Sequence, residues 1–167
     1  RHIRYWFGKY DIPCFIDDRR PVDGSMLSEW IRSFIDLFIK GFSYEAVTRF
    51  LKNGLCGYDR DFICQLENYI LATGIRGISR WQNEWTKVTP EFSDPGKFDA
   101  FRKDFTDSLR DSDGALLSSG KKYEVSRIIS RICETLERYS ISQRMEEYAS
   151  AFTERGDLEK GKEYEQI

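Results

Sequence analysis

The sequence predicts a mainly α-helical protein built of several helices, with one short strand near the N-terminus. Apolar residues recur at intervals of three and four over most of the chain, which is the spacing of one helix face. Ser, Asp and Gly stand where these segments begin and end, as helix caps do. Apolar residues make up 40% of the 167 residues and aromatic residues 15%, which is enough for a packed core in one domain.

The predicted strand covers residues 12–16, Ile-Pro-Cys-Phe-Ile, a short apolar run between Asp11 and Asp17. Pro13 stands near its start, where a missing N–H matters least. One strand is not stable alone, so we expect its pairing strands outside the helical part of the chain.

Capping residues define the helices that follow. In chain order they are Ser25 and Gly41, Ser43 and Gly54, Asp59 or Asp61 with Gly74, Asp94 before Pro95, Ser140 in a capping box with Gln143, and Asp157. The most regular apolar stripe predicts a helix over 122–139. Residues 74–93 and 111–120 are predicted loops, the first packed through its aromatic residues and the second flexible. The predicted core includes Trp30, Phe34, Phe50, Leu66, Ile70, Ile129, Ile132 and Leu136.

Composition argues against several classes of protein. The formal net charge of −2 is unlike that of a stand-alone nucleic-acid-binding protein, which is usually basic. No apolar run reaches the roughly 18 residues of a membrane span, and no signal peptide is visible. The four cysteines, Cys14, Cys56, Cys64 and Cys133, form no Cys-x-x-Cys pair. We therefore predict free, buried thiols and no metal site.

The chain carries no recognisable catalytic motif. The string Gly-Lys-Lys at 120–122 lacks the glycine spacing and the hydroxyl residue of a phosphate-binding loop. The acidic residues of the chain fall at helix starts and on solvent faces. Sequence neighbours such as Glu146 and Glu147 point apart on a helix, so they would not converge on Mg²⁺. We predict no catalytic residue and no cofactor in this chain.

The segment 74–81, Gly-Ile-Arg-Gly-Ile-Ser-Arg-Trp, is the candidate functional loop. Gly77 would let a phosphodiester approach the backbone closely. Arg76 and Arg80 could pair with phosphates, and Trp81 could stack on a base. These four residues are the candidate DNA-binding site.

A purely structural role for the same loop is the alternative. Gly74 would cap the preceding helix, Arg76 would pair with Glu67, and Trp81 would belong to the core, where tryptophan is usually found. The sequence favours this structural interpretation.

Four strings between residues 42 and 81 follow one another in the order known from one protein family. They are Tyr-Glu-Ala-Val at 44–47, Leu-Lys-Asn-Gly-Leu at 51–55, Leu-Glu-Asn-Tyr at 66–69, and Gly-Ile-Arg-Gly at 74–77 followed by Trp81. The chain resembles the AddB (RexB) subunit of the bacterial ATP-dependent helicase–nuclease that processes double-strand breaks. Residues 12–20 and 151–166 are also similar to that family, whereas 21–24 depart from its His-Pro-Leu pattern.

The resemblance implies two parts. Residues 1–20 would be a border strand from an adjoining helicase-like domain, and residues 21–167 a helical accessory domain like the 2B domain of superfamily 1 helicases, truncated at both ends. The parent subunit would be cytoplasmic in bacteria, would pair with an AddA-type motor subunit and would act on double-stranded DNA ends. ATP, Mg²⁺ and an iron–sulphur cluster would be bound outside this region, and the segment itself would guide DNA without catalysis.

Two other functions remain open at this point. The chain could be the accessory domain of an active superfamily 1 DNA helicase, which the motor motifs of the complete gene would reveal. It could also be an unrelated all-helical interaction module, which would be complete in itself and would have no orphan strand.

Overall fold

The computed structural model describes residues 2–13, 24–110, 114, 116 and 122–165. Over these ranges the chain forms nine helices and no strand, so the predicted mainly α fold is confirmed. The helices are α1 His2–Lys9, α2 Met26–Ile39, α3 Tyr44–Leu51, α4 Arg60–Thr73, α5 Ile78–Gln82, α6 Gly96–Ser108, α7 Val125–Arg138, α8 Ile141–Glu154 and α9 Leu158–Glu165.

The N-terminal segment begins with a helix that the sequence did not predict. At the end of α1, Trp6 and Tyr10 stack at 6.1 Å, a contact that the four-residue helical spacing allows. Ile12 and Pro13 have no regular structure. The rest of the predicted strand, 14–16, lies outside the described residues, as does most of the predicted loop 111–120.

Local caps set the ends of α2, α3 and α4 as predicted. Ser25, Ser43 and Asp59 each accept a hydrogen bond from the N–H three residues later, at 3.1, 3.3 and 2.8 Å. Gly74 closes α4 in the left-handed conformation with a φ of 71°.

Two later helices begin differently from the prediction. Asp94 accepts from the N–H of Gly96 at 2.9 Å, so α6 starts one residue beyond Pro95. The predicted capping box of Ser140 is wrong, because Ser140 has a φ of 51° and its side chain makes no cap hydrogen bond. Only two residues separate α7 from α8, so Ser140 has to reverse the chain instead.

An aromatic cluster forms the core between α2, α3 and α6. Trp30 and Phe34 stack at 5.6 Å, and Phe50 lies 5.4 Å from Trp30 and 6.0 Å from Phe105. The Trp30 Nε1–H group donates to Cys56 Sγ at 3.3 Å, and burial raises the pKa of this thiol to about 12. Of the predicted core, Trp30, Phe34, Phe50, Leu66 and Ile70 are buried.

The α7 stripe was assigned to the core too broadly. Ile132 and Leu136 are partly buried against the core, but Ile129 is 54% exposed, so its assignment is wrong. The helix turns Arg131 and Thr135 inward instead. Thr135 Oγ1 donates to the Arg131 carbonyl at 2.6 Å, and the Arg131 guanidinium pairs with Glu134, so both buried polar groups are satisfied.

The cysteines also differ from the prediction of buried thiols. Cys56 is buried, whereas Cys64 on α4 and Cys133 on α7 are exposed. Cys14 lies outside the described residues.

Candidate nucleic-acid interface

The loop between α4 and α5 is held to the core by its backbone. Ile75 is buried, and Gly77 donates its N–H to the Phe42 carbonyl oxygen at 3.1 Å. Gly74 and Gly77 both have positive φ, 71° and 81°, where a residue with a Cβ atom would be strained. Because the N–H of Gly77 is hydrogen-bonded to Phe42, it is not available to a phosphate. Gly77 can contribute to DNA binding only through the shape that it gives the loop.

Arg76 and Arg80, by contrast, are both exposed. Neither guanidinium forms an ion pair within the part of the chain that the structure describes. The pKa of the nearby Glu45 carboxyl is lowered, first by hydrogen bonds from its own backbone and from Ser43, and further by the charge of Arg76. Two cations therefore project from a fixed backbone, and neither has an ion-pair partner among the described residues.

Trp81 belongs to the core and is only 1% exposed. Its ring lies 4.8 Å from Trp85, 5.3 Å from Phe105 and 6.2 Å from Phe42. A DNA base could stack on this ring only if the core opened, so the structural interpretation holds for Trp81.

A buried ion pair fixes the chain just after the loop. Arg102 on α6 donates through Nε to Asp99 Oδ1 at 2.6 Å and through Nη1 to the Trp81 carbonyl at 3.1 Å. The N–H of Trp85 donates to the same Asp99 oxygen at 2.7 Å. Arg102, and then the Trp85 N–H, lower the pKa of Asp99. Because Trp85 also donates its indole N–H to the Arg80 carbonyl at 2.9 Å, the Arg80 backbone is held by the same network.

One further cation, which the sequence analysis did not single out, lies beside the loop. Lys87 donates to the Thr73 carbonyl at 3.3 Å, at the carboxyl end of α4 where a cation is favoured. Lys87 and Arg80 line the same open cleft, of about 180 Å³, together with Glu84. In the sequence, Lys87 is a single lysine within the predicted loop 74–93, which is too common a feature to identify a site.

Glu67 does not pair with Arg76, so that predicted pairing is wrong. Its carboxylate accepts from Tyr44 Oη at 2.6 Å and contacts Lys52 Nζ at 2.5 Å. Lys52, and then Tyr44, lower the pKa of Glu67, and the carboxylate in turn raises the pKa of Tyr44 to about 12. The Leu-Glu-Asn-Tyr string thus ties α4 to α3, and Arg76 is left free of it.

The Glu67→Gln variant is expected to be less stable than the wild type at neutral pH, with a difference that shrinks in acid. Folding lowers the pKa of Glu67. The ionised carboxylate therefore stabilises the fold at pH values above the ordinary glutamate pKa of about 4.3, and this stabilisation is lost as the pH falls through the pKa of Glu67 in the folded protein. Urea unfolding of both proteins over a pH series measures the difference. The control variant Tyr44→Phe retains the contact between Lys52 and Glu67 and should keep most of the pH dependence. If the stability difference between Glu67→Gln and the wild type did not change with pH, the ionised Glu67 carboxylate would not be the source of the stabilisation.

The described residues contain no group of three or more His, Cys, Asp or Glu side chains that could hold a metal ion. The loop between α4 and α5 presents two guanidinium groups from a held backbone, and such groups can bind an anionic partner such as a phosphodiester.

Comparison with known proteins gives a consistent result. No family model matches the chain. It is 35% identical over 169 residues to the B subunit of the ATP-dependent helicase/deoxyribonuclease of Acetivibrio thermocellus, an alignment that covers 96% of this chain and 15% of that protein. The corresponding protein of Clostridium novyi, which carries the same name, is 32% identical over 166 residues, covering 99% of this chain and 14% of the relative.

The chain is homologous to one segment of the AddB proteins. The similarity extends well beyond the four strings at 42–81, since it runs over nearly the whole chain. The chain spans about 15% of the length of these AddB relatives. No helix within the described ranges is long and apolar enough to cross a membrane.

Proposed function

We propose that this chain forms a non-catalytic helical accessory domain, similar to the 2B domain of superfamily 1 helicases, within an AddB-type subunit. The observation that carries the proposal is the similarity to AddB proteins over nearly the whole chain, together with a mainly α fold. In this proposal residues 21–167 form the accessory domain, and residues 1–20 form the border with a helicase-like domain.

The role proposed for the domain is to support and guide double-stranded DNA during double-strand break repair and recombination. Its contact would be the loop defined above, through Arg76 and Arg80. Support comes from their exposure and from the lack of an ion pair for either within the described ranges. The backbone between them is also held, since Gly77 donates to the Phe42 carbonyl and the Arg80 carbonyl accepts from Trp85, which in turn donates to Asp99. Because the loop backbone is already held, binding of phosphate would have to order only the two arginine side chains.

The rest of the proposal concerns the complete AddB-type protein. It would pair with an AddA-type motor subunit in the bacterial cytoplasm and act on DNA ends. ATP, Mg²⁺ and an iron–sulphur cluster would be held by other parts of the assembly. The name of the relatives, which describes one component of a helicase/deoxyribonuclease, supports this assembly over an unrelated interaction module.

The double variant Arg76→Ala/Arg80→Ala is expected to weaken binding of duplex DNA by the complete two-subunit complex without lowering the melting temperature. Two lost phosphate contacts should reduce the slope of log affinity against log salt by about 1.8, at roughly 0.9 per contact. The thermal stability should not change, because both side chains are exposed and neither forms an ion pair in the described part of the chain.

A matched control removes two other exposed arginines, Arg60 and Arg155, and thus the same total charge. If the loop contacts DNA, this control should retain the wild-type salt slope. A lower melting temperature for Arg76→Ala/Arg80→Ala with unchanged DNA affinity would contradict the proposal and restore the structural interpretation of the loop.

A further inference from the structure

Helix α7 exposes one edge of its apolar stripe. Val125 is 70% exposed, Ile129 is 54% exposed, and Cys133 is also exposed. These residues are four apart, so each lies only about 40° around the helix from the one before. They form a continuous line along one side of α7.

The exposed line borders the surface by which α7 joins the core, where Ile132 and Leu136 are partly buried. Thr135, which is buried, lies about 120° around the helix from Ile129 at 3.6 residues per turn. Leu136 lies only about 20° around the helix from Ile129, on the same side as the line. It lines an open cleft of about 210 Å³ with Ile141 and Met145 of α8, and Glu146 stands at the same cleft. The line therefore continues into a largely apolar cleft at its C-terminal end, over about 17 Å of helix.

Four other exposed apolar residues in the described part of the chain occur singly. Ile39, Leu71, Val88 and Leu158 lie on different segments, and such isolated exposure is ordinary. A second group, Tyr5, Trp6, Tyr10 and Ile12, belongs to the N-terminal segment. On α7, by contrast, aliphatic side chains and a thiol form the line without an interspersed charge.

We propose that this α7 strip, defined as Val125, Ile129, Cys133 and Leu136, is a docking surface for an apolar helix from another part of the same polypeptide. The proposal rests on the proposed function, in which the chain is one part of an AddB-type protein. The chain spans about 15% of its AddB relatives, so most of such a protein lies outside it. A strip made of aliphatic residues and a thiol resembles the core of a permanent contact more than a polar, transient one.

The length and shape of the strip suit a helix as its occupant. About 17 Å corresponds to three helical turns, and an amphipathic helix lays anchors spaced three and four residues apart into such a groove. The cleft at Leu136, Ile141 and Met145 would accept one large apolar side chain at the end of the contact.

Cysteine alkylation of native protein, read by mass spectrometry of the proteolysed product, tests the proposal with residues already present. In the complete gene product, Cys133 should react with a maleimide at least about tenfold more slowly than in the 167-residue chain, because it would react only when the contact opens. Cys64 is exposed on α4, outside the strip, and should react equally fast in both proteins.

Equal reactivity of Cys133 in the two proteins would overturn the proposal. Protection of Cys133 in the 167-residue chain alone, increasing with protein concentration, would also overturn it by identifying a second copy as the occupant. Neither result depends on DNA binding. The labelling experiment and the salt-dependence experiment therefore test the docking surface and the DNA contact separately.

Two variants make the test specific to the strip. Ile129→Glu should leave the melting temperature of the 167-residue chain unchanged, because Ile129 is half exposed, and should restore fast labelling of Cys133 in the complete product. Ser130→Glu adds the same charge to an exposed position outside the strip and should leave Cys133 protected. Continued protection in Ile129→Glu would contradict docking at this surface.

Discussion

The Trp81→Ala variant is expected to lose about 3–5 kcal/mol of unfolding free energy, the usual range for removing a large buried aromatic side chain. The ring is 1% exposed and touches Phe42, Trp85 and Phe105, so its removal leaves a cavity where three segments meet. Because single domains are stable by only about 5–15 kcal/mol, the variant should be close to unfolding at moderate temperature.

Urea unfolding followed by circular dichroism measures this loss. Trp6→Ala is the matched control, since Trp6 is 48% exposed and should cost less than about 1 kcal/mol. A loss below about 1 kcal/mol for Trp81→Ala would mean that the ring is not part of the core, and would reopen its stacking on a DNA base.

The Asp99→Ala variant is expected to lose about 3 kcal/mol, the lower end of the range for breaking a buried ion pair. The reason is that Arg102, which is 8% exposed, would keep its charge without its carboxylate partner, and the Trp85 N–H would lose its acceptor. The cost lies at the lower end because the Asp99 side chain retains 21% exposure to solvent.

Two further variants separate the ion pair from other effects of the substitution. Asp104→Ala, on the exposed side of the same helix, should change stability by no more than about 0.5 kcal/mol. Adding Arg102→Met to Asp99→Ala should recover part of the loss, because an apolar residue of similar length needs no charged partner. A double variant less stable than Asp99→Ala alone would contradict this account of the network.

The sequence was most informative where a structure depends on neighbouring residues. Ser25, Ser43 and Asp59 cap their helices through N–H groups only three residues away, so the pattern contains all the needed information. Gly74 likewise ends α4 by its own backbone conformation. Ser140 shows the limit, because the short link between α7 and α8 overrode its local preference for a cap.

Packing between distant segments could not be predicted in the same way. The periodicity of α7 identifies its apolar stripe but not which part of the stripe faces the core, so Ile129 was misassigned while Arg131 and Thr135 are buried. At the candidate interface, Glu67 binds Tyr44 and Lys52 and not the predicted partner Arg76, a choice that only the three-dimensional arrangement determines. The loop itself was found from its glycines and arginines.

Site-specific crosslinking would show directly whether this loop faces DNA in the assembled complex, as proposed. A photo-crosslinking amino acid would replace Arg76 in the complete complex bound to a duplex DNA end, and in parallel would replace Arg60, which is also exposed but lies on the first turn of α4. We expect crosslinks to DNA from position 76 and none from position 60. No crosslink from position 76 in a complex that still binds DNA would contradict it.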